Sequence, residues 1–140
     1  MPGAAYPTHV NAVDCYRGLA DPLRIRMLNL LGEGPLCVCH LVEILGGGQV
    51  RMSKQLRYLK RLGLVESERR AQWMIYRLSE PVAELVGVNL RCLRKGFAKG
   101  LPLARDLVRR TALLERLRTQ PSGCSAAVLA GRRVRSRGGC

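Results

Sequence analysis

Aromatic side chains are scarce in this 140-residue sequence: one Phe, one Trp and four Tyr make up 4% of it. A core built from this chain must rest on Leu, Val and Ile. Acidic residues are also few, ten Asp and Glu against 24 Lys and Arg, and histidine occurs only as His9 and His40. A nucleophilic enzyme needs a positioned base beside its nucleophile, and this composition assembles none. No apolar run reaches the roughly 18 residues of a membrane span, and the first 20 residues lack a signal-peptide core. A cytoplasmic protein with no membrane partner is expected. Gly46-Gly47-Gly48 is not followed by the G-K-[ST] of a phosphate-binding loop and reads as a turn. Neither an enzyme nor an organic cofactor is expected.

What the sequence does have is positive charge, +14 in all. It is unevenly placed. Residues 1–47 carry three bases and four acids, residues 48–70 seven and two, residues 91–118 nine and two, and residues 119–140 four Arg and no acid. Such an excess points to a polyanionic partner, usually nucleic acid. The six cysteines are Cys15, Cys37, Cys39, Cys92, Cys124 and Cys140. In a chain stocked with its own aliphatic core they read as thiols open to a metal rather than as a disulfide scaffold.

The hydrophobic period lays out the elements. Residues 1–8 form a flexible start, and residues 9–19 suit a first helix. Asp21 and Pro22 make an N-cap and first helical position. Leu23, Met27, Leu30 and Leu31 then share a face. Residues 37–45 read as a short helix, and the glycine triplet separates it from a basic helix at 49–61. Two short strands follow at 64–68 and 73–78, joined by a loose loop at Arg69-Arg70-Ala71-Gln72. Residues 81–99 and 103–118 return to helix. The expected organisation is one winged helix-turn-helix and dimerisation domain over 9–100, a C-terminal helix over 101–119 and a disordered basic tail over 120–140. The fold class is mainly α with a small β-hairpin, dimeric.

That order suits DNA: the second helix of the pair enters the major groove and the ribbon lies on the neighbouring backbone. Gln49, Arg51, Ser53, Lys54 and Gln55 include side chains able to read base edges. Arg57, Lys60, Arg69 and Arg70 suit phosphates. Arg132, Arg133, Arg135 and Arg137 in the tail suit an auxiliary phosphate-binding arm.

Residues from about 12 to 98 resemble the ArsR/SmtB family of bacterial metalloregulatory repressors. The resemblance rests on Leu19-Ala20-Asp21-Pro22-Leu23-Arg24, Leu36-Cys37-Val38-Cys39-His40-Leu41, Met52-Ser53-Lys54-Gln55-Leu56 and the strand Trp73–Leu78. The L-C-V-C-x-L segment is similar to the arsenic-responsive branch. The resemblance implies a homodimer, paired through the first helix and the 81–99 helix, that holds operator DNA and releases it on binding its inducer. The family often has His where Gln55 stands and Gly near Ala71, departures that bear on operator preference and wing shape. A zinc site on the dimer helix, used by another branch, needs His and carboxylates that 81–99 does not supply.

Cys37 and Cys39 are the expected ligands of a soft metalloid, trivalent arsenic or antimony, because soft ions favour thiolates. Cys37, at a helix start, is placed for a lowered thiol pKa. Residues i and i+2 of an ideal helix diverge, whereas in extended chain they share a face. The pair clasps one ion only where the first turn is unwound. The arsenic-sensing branch places a third Cys where Val42 stands here. Cys15 is the first substitute and Cys92 the second, and a two-thiol site suits a methylated arsenical. Other expectations within the family are a thiol redox-sensing repressor and a Cd-, Pb- or Zn-responsive one.

Overall fold

The computed structural model describes residues 11–97 and 99–119. The elements are α1 (Ala12–Gly18), α2 (Pro22–Leu31), β1 (Leu36–Cys37), α3 (Val38–Leu45), α4 (Gln49–Arg61), β2 (Val65–Arg70), β3 (Trp73–Leu78), α5 (Glu80–Cys92) and α6 (Leu103–Thr119). Residues 1–8 and the basic tail at 120–140 lie outside the described residues, as do Cys124 and Cys140.

Local chemistry sets the helix ends. The Asn11 side chain accepts from the Asp14 N–H at 2.9 Å, and Asp21 from the Arg24 N–H at 3.1 Å. Each satisfies an amide with no partner inside its helix. Between α3 and α4 the chain turns through Gly46 (φ 78°) and Gly47 (φ 82°), a left-handed stretch that side-chain-bearing residues resist. This turn sets α4 against α3. Gly18 answers a different need: a Cβ there would come within 2.1 Å of Leu64 Cδ1. Its absence lets the end of α1 press against the chain entering the sheet.

The core is aliphatic, as the scarcity of aromatics requires. Met27, Leu28, Leu30 and Leu31 of α2 meet Leu41 and Ile44 of α3, Met52, Leu56 and Leu59 of α4, and Val82, Val86 and Leu90 of α5. On α4 the apolar residues Met52, Leu56 and Leu59 are the buried ones.

Three features depart from the sequence reading. The ribbon is a three-stranded antiparallel sheet in the order β1-β3-β2, with Leu36 opposite Tyr76 and Cys37 opposite Ile75. The two-residue β1 is too short for a period-2 pattern to announce it. The wing turn is tight: Arg70 pairs with Trp73, leaving only Ala71 and Gln72 to connect the strands. The 81–99 helix is regular only to Cys92, after which the chain loosens through Leu93–Phe97 and Gly96 leaves helical geometry.

The tight turn is made by Ala71 at φ 54°, a conformation that costs an L-residue roughly 1–2 kcal/mol. Ala71→Gly removes this strain, while the freer unfolded chain returns part of it. A net gain of about 0.5–1 kcal/mol is expected, read as a higher urea midpoint at unchanged slope.

α6 is bound to the domain by polar contacts. Arg26 grips Asp106 through two hydrogen bonds, Nε to Oδ2 at 2.7 Å and a terminal nitrogen to Oδ1 at 2.9 Å, and the Asp106 side chain is fully buried. Asn29, also buried, donates to the Leu103 carbonyl at 3.0 Å and accepts from Arg94 at 2.7 Å. Arg109 donates to the Ile44 carbonyl, and Arg116 pairs with Glu43. α6 therefore packs on α2 and α3.

Candidate nucleic-acid interface and thiol site

α4 presents one face to the core and the other to solvent. Met52, Leu56 and Leu59 are buried, whereas Gln49, Val50, Arg51, Lys54, Arg57, Lys60 and Arg61 are exposed. Residues 50, 54, 57 and 61 recur at helical spacing and lie opposite the buried stripe.

Of the residues singled out from sequence, Gln49, Arg51, Lys54 and Arg57 stand open on α4, and Ser53 is half-buried. Gln55 is half-buried at the side of the helix, where its Oε1 accepts from Arg24 at 3.3 Å. Lys60 donates to Ser67 Oγ at 2.6 Å, linking the end of α4 to β2. In the wing, Arg69 is exposed, while Arg70 is partly covered and paired with Glu68 at 3.1 Å.

Arg24 is a residue whose role sequence did not reveal. It donates to the carbonyls of Arg17 and Gly18 and to Gln55, and its guanidinium lies 4.8 Å from the Tyr58 ring centre. One side chain thus joins the end of α1, the start of α2 and the middle of α4. It holds the basic helix at a fixed angle, a task suited to a planar group with five donors. The only sequence signal for it was the short motif over 19–24.

Cys37 and Cys39 straddle a change of backbone. Cys37 ends β1 and caps α3 in extended geometry (φ −82°, ψ 157°), while Cys39 lies within the first turn of α3. The pair packs with Ile75 and Trp73 of β3 in a small cluster separate from the main core. Burial raises the Cys37 thiol pKa, and hydrogen bonds from the Cys39 and Val38 backbone oppose that rise without overcoming it. The helix-start effect expected from sequence is present but is outweighed by loss of solvent. The Cys37 N–H donates to His40 Nδ1 at 3.3 Å. His40 is buried, and burial holds its pKa below the ordinary value. Arg110 and Arg116 act in the same sense and Glu43 against it. His40 therefore serves the first turn of α3 as a neutral acceptor.

Cys39 is disulfide-bonded, whereas Cys15, Cys37 and Cys92 carry free thiols. Cys15 is sealed in the main core, and burial raises its pKa. Cys92 is exposed at the end of α5. Among the described residues of one chain, no three His, Cys, Asp or Glu side chains gather in a way that could hold a metal ion. The chain by itself does not bring Cys15 or Cys92 to the Cys37–Cys39 junction.

A helix pair joined by a short turn, a basic outward face on the second helix and a strand ribbon beside it define a winged helix-turn-helix module. Residues 21–67 match the profile of the bacterial regulatory protein, arsR family. The chain is 38% identical over 77 residues to the arsenic resistance transcriptional regulator ArsR1 of Pseudomonas putida, covering 54% of this chain and 60% of that one. It is 33% identical over 85 residues to the arsenical resistance operon repressor of Escherichia coli, covering 57% and 73%. The homodimeric winged helix-turn-helix domain Mb0332 of Mycobacterium bovis superposes with a TM-score of 0.56 at 28% identity, over 61% of this chain and 80% of that one. The chain belongs to the ArsR family of DNA-binding transcriptional regulators. No helix among the described residues is long and apolar enough to cross a membrane.

Proposed function

We propose that the chain is an operator-binding repressor that acts as a homodimer and lets go of DNA when a trivalent arsenical bridges the Cys37 and Cys39 thiolates. The observation that carries this reading is the place of the pair. Because Cys37 is extended and Cys39 helical, the two thiols are not held on opposite sides of a regular helix. Their junction abuts β3 of the wing on one side and runs into α3, and so into the α3–α4 unit, on the other. Relatives named for arsenic resistance support the choice of ligand, and thiolates suit antimonite for the same reason.

The chemistry is a ligand exchange. Each thiol gives its proton to a departing hydroxyl of the arsenical, two S–As bonds replace two As–O bonds, and two waters leave. Cys39 enters the exchange only after an external dithiol has opened its disulfide by thiol–disulfide exchange, the dithiol itself leaving as the oxidised, disulfide form. Clasping one ion draws Cys37 and Cys39 toward a common side, which strains the cap of α3 and the pairing of Cys37 with Ile75. Both consequences reach DNA-facing elements: α4 through the Gly46–Gly47 turn, the wing through β3. A coupling of about 1–3 kcal/mol between the two sites, as is usual for such linkage, lowers operator affinity roughly 5- to 150-fold.

The dimer reading is supported by apolar side chains left exposed on α1 and α5, Val13 and Tyr16 on the first and Val88 on the second. The disulfide at Cys39 favours a second reading, in which oxidation of the same cysteine biases the same elements without a metalloid.

Single substitutions separate these possibilities. In reduced protein, Cys37→Ser and Cys39→Ser are expected to abolish arsenical-driven release, while Cys15→Ala and Cys92→Ser retain it. Loss in a folded, DNA-binding Cys15→Ala or Cys92→Ser variant would replace the dithiol by a three-sulfur site. Release by peroxide that is reversed by reductant, with no response to arsenicals, would establish the redox reading instead.

A further inference from the structure

Val50 is the anomaly of the basic helix. It is 71% exposed, more than any other large apolar side chain described, yet it sits in the first turn of α4 at the leading end of the outward stripe completed by Lys54, Arg57 and Arg61. It makes no contribution to the core, which α4 meets through Met52, Leu56 and Leu59. A β-branched residue is a poor choice for an exposed helical position, where straight-chain residues lose less side-chain freedom. Fold stability therefore gives no reason for Val at 50.

The chemistry of the groove does. Residues in the first turn of a reading helix are the ones that approach base edges. Among the groups the four bases present in the major groove, one is apolar: the C5-methyl of thymine. The cations around Val50 bring the helix onto the phosphates but carry little sequence information. An isopropyl group at their head matches the one apolar feature available there. We infer that Val50 is a specificity-determining residue that packs on a thymine methyl in each half-site. The inference rests on the DNA-reading role of α4 and adds to it the identity of one base. It makes that position discriminate thymine from cytosine by a methyl group rather than by a hydrogen bond.

The test begins with selection of preferred duplexes from a random pool by purified wild-type chain. Each thymine of the best duplex is then replaced singly by deoxyuridine, which deletes the C5-methyl and leaves every hydrogen-bonding group in place. One thymine per half-site is expected whose replacement weakens wild-type binding about fourfold, the worth of one buried methyl-sized group. The same replacement should leave binding by Val50→Ala unchanged, and 5-methylcytosine in place of cytosine at that position should recover part of the wild-type affinity. Ala is the better helix former, so the variant is expected to fold. A duplex that binds tightly but shows no uracil effect dependent on Val50 overturns this inference alone. A chain that enriches no sequence overturns the operator-binding reading with it.

Discussion

Reversing the charge at Lys54 and Arg57 together is expected to weaken operator binding about 100-fold or more at near-physiological salt, with the fold intact. Both residues are exposed on the outward face of α4 and are remote from its buried stripe, so the change falls on binding. If each meets a phosphate, the slope of log affinity against log salt should also fall by about 0.9 per lost contact. Reversal at Arg105 and Arg118 together, both exposed on α6, alters the net charge equally and serves as the control. Its affinity and slope should stay near the wild-type values. Fluorescence anisotropy across a salt series reads both quantities. Equal losses at the α4 and α6 positions would mean that the basic chain binds DNA by overall charge and that α4 has no special part.

The second large effect is on stability. Asp106→Ala leaves the Arg26 guanidinium partly buried without the carboxylate that takes two of its hydrogen bonds. Breaking a buried pair on one side costs about 3–5 kcal/mol, far more than the median surface pair. Urea unfolding should show that loss as a lower midpoint. A loss under about 1 kcal/mol would mean that α6 is an appendage rather than part of the folded unit. The sequence reading drew a boundary at residue 100. The Arg26–Asp106 grip, with Asn29 bonded to both Leu103 and Arg94, crosses that boundary and joins α6 to α2, the helix that precedes the thiol pair.

Sequence carried the reading far where local rules are strong. The Asp21–Pro22 helix start, the glycine turn before Gln49 and the Trp73–Leu78 strand each follow from the conformational limits of a few residues. Outcomes decided by tertiary packing were less legible. β1 is two residues long and exists because β3 lies beside it. Burial of Cys37 sets its thiol pKa against the helix-start effect, and no local pattern reports burial of that degree. Gln55 suits a base reader by type, and its Oε1 also accepts from Arg24, a partner 31 positions away that no local pattern reports. Val50 went unremarked because an apolar residue in a helix is ordinarily assigned to the core; only its exposure identified it.

The most direct measurement is operator affinity of the reduced, purified chain before and after addition of a trivalent arsenical, read by fluorescence anisotropy with a Cys37→Ser, Cys39→Ser variant alongside. A fall in affinity of roughly 5- to 150-fold for the wild type, none for the variant, and recovery on adding a competing dithiol is the predicted result. Tight operator binding that neither arsenite nor methylarsenite disturbs would contradict the account.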